Sequence, residues 1–130
     1  MRKSQATLVF ASLLVLSDVA LAQASTAQLP DPLSAGWKGQ ATCEKLHEDD
    51  TLRIVRCAFP PGIGHERHFH PSHYTYVLSG GKVRVTNAAG TQDVDIRAGT
   101  GRMSPPIEWH EVLNIGDQTV AFLIVEPKTK

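Results

Sequence analysis

The chain has 130 residues, with 13 Lys and Arg against 13 Asp and Glu and a formal net charge of zero. That balance gives no grip on nucleic acid or an anionic membrane surface. The length bounds one domain with a single core.

In chain order, the first element is an address. Arg2 and Lys3 precede an apolar run at residues 8–16 (LVFASLLVL), and Ala20-Leu21-Ala22 has the small-x-small form of a cleavage site. Residues 1–22 are therefore expected to be a signal peptide, and the product to be periplasmic or secreted. The run is too short and too interrupted to span a bilayer, so no membrane contact is expected after cleavage. The leader holds Arg2, Lys3 and Asp18, which leaves 11 basic and 12 acidic groups on 108 residues. Residues 23–39 read as an irregular arm, because Pro30, Pro32 and small polar residues break any period. Such an arm can pack across a partner subunit, and a homodimer is expected.

From residue 40 to 130 the chain reads as one domain of short strands. Residues 42–47 and 52–59 form a hairpin around a loop at 49–51, and Pro60-Pro61-Gly62 ends it. Strands are expected at 74–78, 82–86, 91–96, 101–104, 108–114 and 119–126, with Gly or Pro turns between them. About eight short strands and no helical period argue for an all-β sandwich or small barrel, and a closed barrel removes exposed edges.

The hairpin gives the two cysteines a meaning. With that loop, residues whose numbers sum to 100 oppose each other, so Cys43 faces Cys57. An oxidising compartment then allows a disulfide, contributing about 3 kcal/mol for a loop of this size. Two buried free thiols are the alternative.

Chemistry concentrates in histidines. His65, His68, His70 and His73 fall close together, and His110 lies far downstream. Side chains alternate along a strand, so His68 and His70 share a face while Phe69 points away. A later strand carrying His110 can lie beside them and complete a three-nitrogen site. His73 either joins as a fourth ligand or stands at the rim and hydrogen-bonds a ligand or water. If it lies inside, Thr75 and Val77 share its face, and Tyr74, Tyr76 and Leu78 point outward. His65 is expected near the pocket mouth or outside, and His47 in solvent. Met103 and Trp109 are expected in the core. Glu108 shares parity with His110 and is a candidate carboxylate near the site, with a solvated strand end the commoner outcome; Arg67 and Arg102 flank the ligand strands, either to meet an anion or as surface charges. Asn114 and Gly116 are expected to shape a turn.

The spacing is more specific than the count. Gly62-x5-His68-x-His70 is followed by His73-x6-Gly80, and Gly99-x5-Pro105-x4-His110-x3-Asn114 comes later. Over residues 52–126 the chain resembles the cupin superfamily, whose motifs read G-x5-H-x-H-x3or4-E-x6-G and G-x5-P-x-G-x2-H-x3-N. The resemblance implies a conical β-barrel, a jelly roll or double-stranded β-helix, with a metal inside. It implies that His68, His70 and His110 occupy the positions of the family's histidine ligands. Two departures stand out. His73 replaces the family's usual Glu after a shorter gap, and Ile107 replaces the second motif's Gly.

Imidazole ligands suit Fe, Ni, Cu or Zn, and a neutral shell favours an anion at the open positions. The resemblance is compatible with a small metal-dependent enzyme, an oxygenase or related oxidoreductase acting on a small molecule. That enzyme is the first reading; the alternatives are a non-catalytic barrel that binds a metal or small ligand, a structural dimer, and a barrel that keeps its histidines and works empty.

Overall fold

A computed structural model describes residues 28–130, and the expected signal peptide lies outside the described residues. The strands are β1 Gly36–Trp37, β2 Gln40–Ala41, β3 Cys43–Glu48, β4 Leu52–Phe59, β5 Gly64–His70, β6 His73–Ser79, β7 Gly81–Asn87, β8 Gly90–Ile96, β9 Gly101–Ser104, β10 Ile107–Asn114 and β11 Val120–Pro127. They form a five-stranded sheet, β3-β4-β11-β6-β9, and a four-stranded sheet, β5-β10-β7-β8, in a jelly-roll arrangement. The all-β barrel expected from the alternating patterns is the observed fold. The arm is not wholly irregular, because β1 and β2 make a short hairpin of their own.

Alternation decides which residues face inward. Along β4, Val55, Cys57 and Phe59 are buried, and from the other strands Val83, Val112, Val120 and Ile124 join them to form the core. On β6, His73 and Val77 are buried while Tyr74, Tyr76 and Leu78 are exposed. The glycines that open the two motif segments, Gly62 and Gly99, have φ of 77° and 78°. A side chain at either position would be strained, so these turns need glycine.

Cys43 and Cys57 oppose each other and are bridged, with Cα atoms 4.0 Å apart. The pairing expected from the loop holds from Cys43 to Lys45. A bulge at Leu46 then shifts the register by one, so that His47 pairs with Ile54.

The arm packs on its own barrel. Phe69 N donates to Pro30 O at 3.1 Å, and Asp31 Oδ2 accepts from Arg53 Nη1 at 2.6 Å. These contacts fix the chain ahead of β1 against β4 and β5, and β5 carries three of the six histidines.

Candidate metal centre

β5 and β10 pair antiparallel, and the pairing is irregular on both sides of the His110–His68 step. Between Val112↔His65 and His110↔His68, β5 has one residue more than β10. Between His110↔His68 and Ile107↔His70, β10 has one residue more than β5. Each strand therefore carries a bulge, at Glu66–Arg67 and at Glu108–Trp109. Bulges re-aim side chains and are common beside functional sites. The two bulges meet on the outside, where the Arg67 guanidinium lies 3.8 Å from the centre of the Trp109 ring.

The bulge on β5 corrects the expectation for His65. Regular alternation would put His65 and His68 on opposite faces. The extra residue brings both inside, with ring centroids 3.8 Å apart. His65 is 2% exposed, and its Nε2 donates to Pro32 O at 2.9 Å. With that nitrogen engaged on the arm, His65 braces His68 from behind.

His68, His70 and His110 turn their Nε2 atoms to one point. The three separations are 2.9, 3.0 and 3.0 Å. His68 Nδ1–H donates to Glu66 O at 2.6 Å, which fixes the tautomer and leaves the Nε2 lone pair free. A proton can bridge only one pair of three such nitrogens, so the arrangement fits a cation at its centre. At metal–nitrogen distances of 2.0–2.1 Å these separations subtend about 90°, the angle of one face of an octahedron rather than of a tetrahedron.

His73 does not join that point. Its Nδ1–H donates to Pro71 O at 2.8 Å, and its ring stacks on His70 with centroids 4.3 Å apart. It is 3% exposed and lines the cavity beside the trio. Three of the four histidines expected as ligands converge, and the fourth stands next to them.

Sequence reasoning overlooked a carboxylate. Glu126 on β11 is 3% exposed, and its Oε2 accepts from Arg53 Nε at 2.7 Å. Its Oε1 faces His70 Nδ1 at 3.8 Å, and both atoms are buried without a hydrogen-bond partner. That distance is too long for a hydrogen bond. Nor is it an ion pair, because burial and then the charge of His68 push His70 down to about 2 and hold it neutral. A carboxylate behind the distal nitrogen of a ligand histidine is a recurrent support for bound metals. Glu126 could have been found from parity, since it shares the inward row of β11 with Val120 and Ile124.

Burial, the first cause in each case, also lowers His110 to about 2 and His65 and His68 to about 4. All four imidazoles are therefore neutral near pH 7, the form that ligates. The cluster opens onto a cavity of about 800 Å³ with an apolar wall that includes Val77, Val83, Phe122 and Ile124.

Several other expectations are corrected. Glu108 is not the candidate site carboxylate but exposed, the solvated outcome favoured for it, because the β10 bulge breaks its parity with His110. Met103 is 56% exposed, since it shares the outward row with Tyr74 across β6 and β9. Trp109 is half-buried beneath Arg67 instead of in the core. His47 is exposed, as expected. Asn114 holds its turn, donating to Phe59 O and Gln118 O at 2.7 Å and accepting from Gly116 N at 2.9 Å.

Comparison with known proteins agrees with the geometry. The cupin domain family matches residues 55–126, more than half of the chain. The protein belongs to the cupin family. A cupin domain from Bordetella pertussis superposes with a TM-score of 0.63 at 20% identity, covering 67% of this chain and 92% of that one. A cupin superfamily protein from Desulfitobacterium hafniense gives 0.54 at 17% identity, covering 70% and 80%. The polyketide cyclase RemF from Streptomyces resistomycificus gives 0.54 at 26% identity, covering 75% and 68%. No curated protein matches the chain in sequence.

Proposed function

We propose that this cupin is an exported metal-dependent enzyme, oxygenase-like or a related oxidoreductase, that acts on a small anionic molecule. One divalent Fe, Ni, Cu or Zn ion would be held by His68, His70 and His110. The observation that carries this reading is the convergence of three neutral Nε2 atoms, 2.9–3.0 Å apart, at the wall of an open cavity. An all-protein shell with no room beside it would favour a storage or capture role, and the cavity argues against that. The similar polyketide cyclase supports catalysis on this barrel.

The bound metal would supply Lewis acidity and open positions for substrate oxygen. The chain's own residues do the rest. His65 and Glu66 O fix the His68 ring, and Glu126 stands behind His70. His73 keeps an Nε2 lone pair because its other nitrogen is bonded to Pro71 O, so it can accept a hydrogen bond from a molecule in the cavity. The apolar wall holds the substrate's body and excludes water.

The disulfide supports export, because such bridges persist in oxidising compartments. A row of exposed apolar side chains, Tyr74, Tyr76, Leu78 and Met103, supports a homodimer. Elemental analysis of the untagged mature protein, beside His68→Ala and His73→Ala, tests the site. About one equivalent of metal, lost in His68→Ala and kept in His73→Ala, is the expected result. Wild-type protein that stays empty after reconstitution would remove the metalloenzyme reading and leave a ligand-binding barrel.

A further inference from the structure

The described residues contain six arginines, and four have evident partners. Arg53 pairs with Asp31 and Glu126, Arg56 with Glu44, and Arg84 with Asp93, while Arg67 lies over Trp109. Arg97 and Arg102 form no ion pair or side-chain hydrogen bond with the described residues, and both line the histidine cavity.

Their placement follows from register. On β9, Ser104 pairs with His73 and Arg102 with Thr75, and all four line the cavity. Met103 between them points outward. Arg102 therefore starts on the cavity side of β9, two residues along the strand from the position opposite His73, a rise of about 7 Å, and its side chain is exposed at the cavity's edge. Arg97 follows β8 and is exposed, at the mouth of the same cavity. The acidic side chain on that lining, Asp95, has Lys82 Nζ 4.0 Å away. The mouth thus presents two uncompensated guanidinium groups above an apolar wall.

We propose that Arg97 and Arg102 select an amphipathic organic carboxylate, whose acid group docks on the guanidinium pair while its apolar body lies along Val77, Phe122 and Ile124. A planar guanidinium takes a carboxylate through two parallel hydrogen bonds, which a neutral hydroxyl cannot reproduce. The carboxylate then sits at the mouth, and the opposite end of the molecule points toward the three histidines. This inference rests on the reading of the cavity as the substrate site, but it makes the acid group a handle for the arginines and leaves the metal free for the reacting end.

Calorimetric titration with 4-phenylbutyrate and 4-phenylbutanol tests it, with chelator-stripped and Ni(II)-loaded protein run in parallel. Stripped wild type should bind the carboxylate about tenfold more tightly than the alcohol. Arg102→Gln should remove most of that preference and leave alcohol binding within about twofold, while Arg97→Gln removes part of it. Arg102→Lys keeps the charge and should retain an intermediate preference, which guards against misfolding of the neutral variant. The inference is overturned if neither ligand binds or if the two bind equally. It is also overturned if the preference survives in the Arg97→Gln/Arg102→Gln double variant, in which case Arg102 is only a charge guarding the edge strand β9. A preference that appears only with Ni(II) places the carboxylate on the metal, overturning the arginine assignment while sparing the metal site. The reverse result, a preference in stripped protein that takes up no Ni(II), keeps the inference and removes the metalloenzyme reading.

Discussion

Replacing Glu126 by Gln probes the support behind the metal site with almost no change in volume. Glu126 Oε2 accepts from Arg53, so a glutamine oxygen can keep that bond. The group facing His70 Nδ1, however, becomes an NH2 donor. An imidazole nitrogen facing a donor is driven to accept, and the proton then moves to Nε2, the atom that points at His68 and His110. His70 would have to reverse that tautomer to ligate. Loss of such an outer partner costs about 10- to 100-fold in metal affinity, or about 1–3 kcal/mol. Arg53 retains Asp31 at 2.6 Å, so its charge is not orphaned and the fold should survive. Competition between the protein and a chromophoric chelator for Ni(II) or Zn(II) measures the affinity, and circular dichroism checks folding. Folded Glu126→Gln protein with affinity within twofold of wild type would refute the reasoning, and Glu126 would then serve only to anchor Arg53 and the arm.

Acid should unfold the metal-free protein early. His65 is held neutral by burial down to about 4, whereas an unfolded histidine takes its proton near 6.5. The unfolded chain therefore binds protons first, so stability is complete above about pH 6.5 and drains as pH falls toward 4. At pH 5, His65 alone accounts for about 2 kcal/mol, and His68, His70 and His110 add in the same direction. A thermal midpoint that does not fall between pH 7 and pH 5 would contradict this. Opening the Cys43–Cys57 bridge, which spans a sequence separation of 14, should cost about 3 kcal/mol in denaturant titrations. An unchanged midpoint for the Cys43→Ser/Cys57→Ser variant would mean that the β3–β4 pairing already restrains the unfolded chain.

The barrel was legible because strands with one face inward alternate, and because Gly and Pro mark the turns. Leu52–Phe59 and Gly101–Ser104 coincide with the strands expected from that pattern. The Cys43–Cys57 pairing followed from loop length alone, since the bulge at Leu46 falls on the loop side of the disulfide. The N-terminal half of β5 was harder to read. Its inward residues are histidines, so Gly64–His70 has no apolar alternation to detect. The misplacement of His65 and the lost parity between Glu108 and His110 have one cause, the paired bulges, each of which inserts a residue and flips the parity of everything beyond it. No propensity marks Glu66–Arg67 as a bulge. The Arg67–Trp109 contact that spans the two bulges is a tertiary feature.

Charge ties the site together. In the family pattern that the sequence resembles, the position of His73 carries a carboxylate that would offset part of a metal's charge. Here the three converging groups are neutral and His73 adds no negative charge. The nearest buried carboxylate oxygen, Glu126 Oε1, lies behind His70, and the other oxygen of that group is already bound to Arg53. A divalent ion at this point would keep most of its charge on the cavity side, where the apolar part of the wall screens the field less than bulk water does. Anionic oxygen is the chemistry that such a field binds. With the arginines at the mouth as a second positive pole, a substrate bearing an acid at one end and an oxygen function at the other would bridge the two. Substituting Glu for His73 tests this directly. A carboxylate there should raise affinity for the metal and lower affinity for a small anion such as azide at the open positions, read from the spectrum of the Co(II)- or Ni(II)-loaded protein. If His73→Glu leaves azide binding unchanged, the missing carboxylate is not what sets the charge of the site.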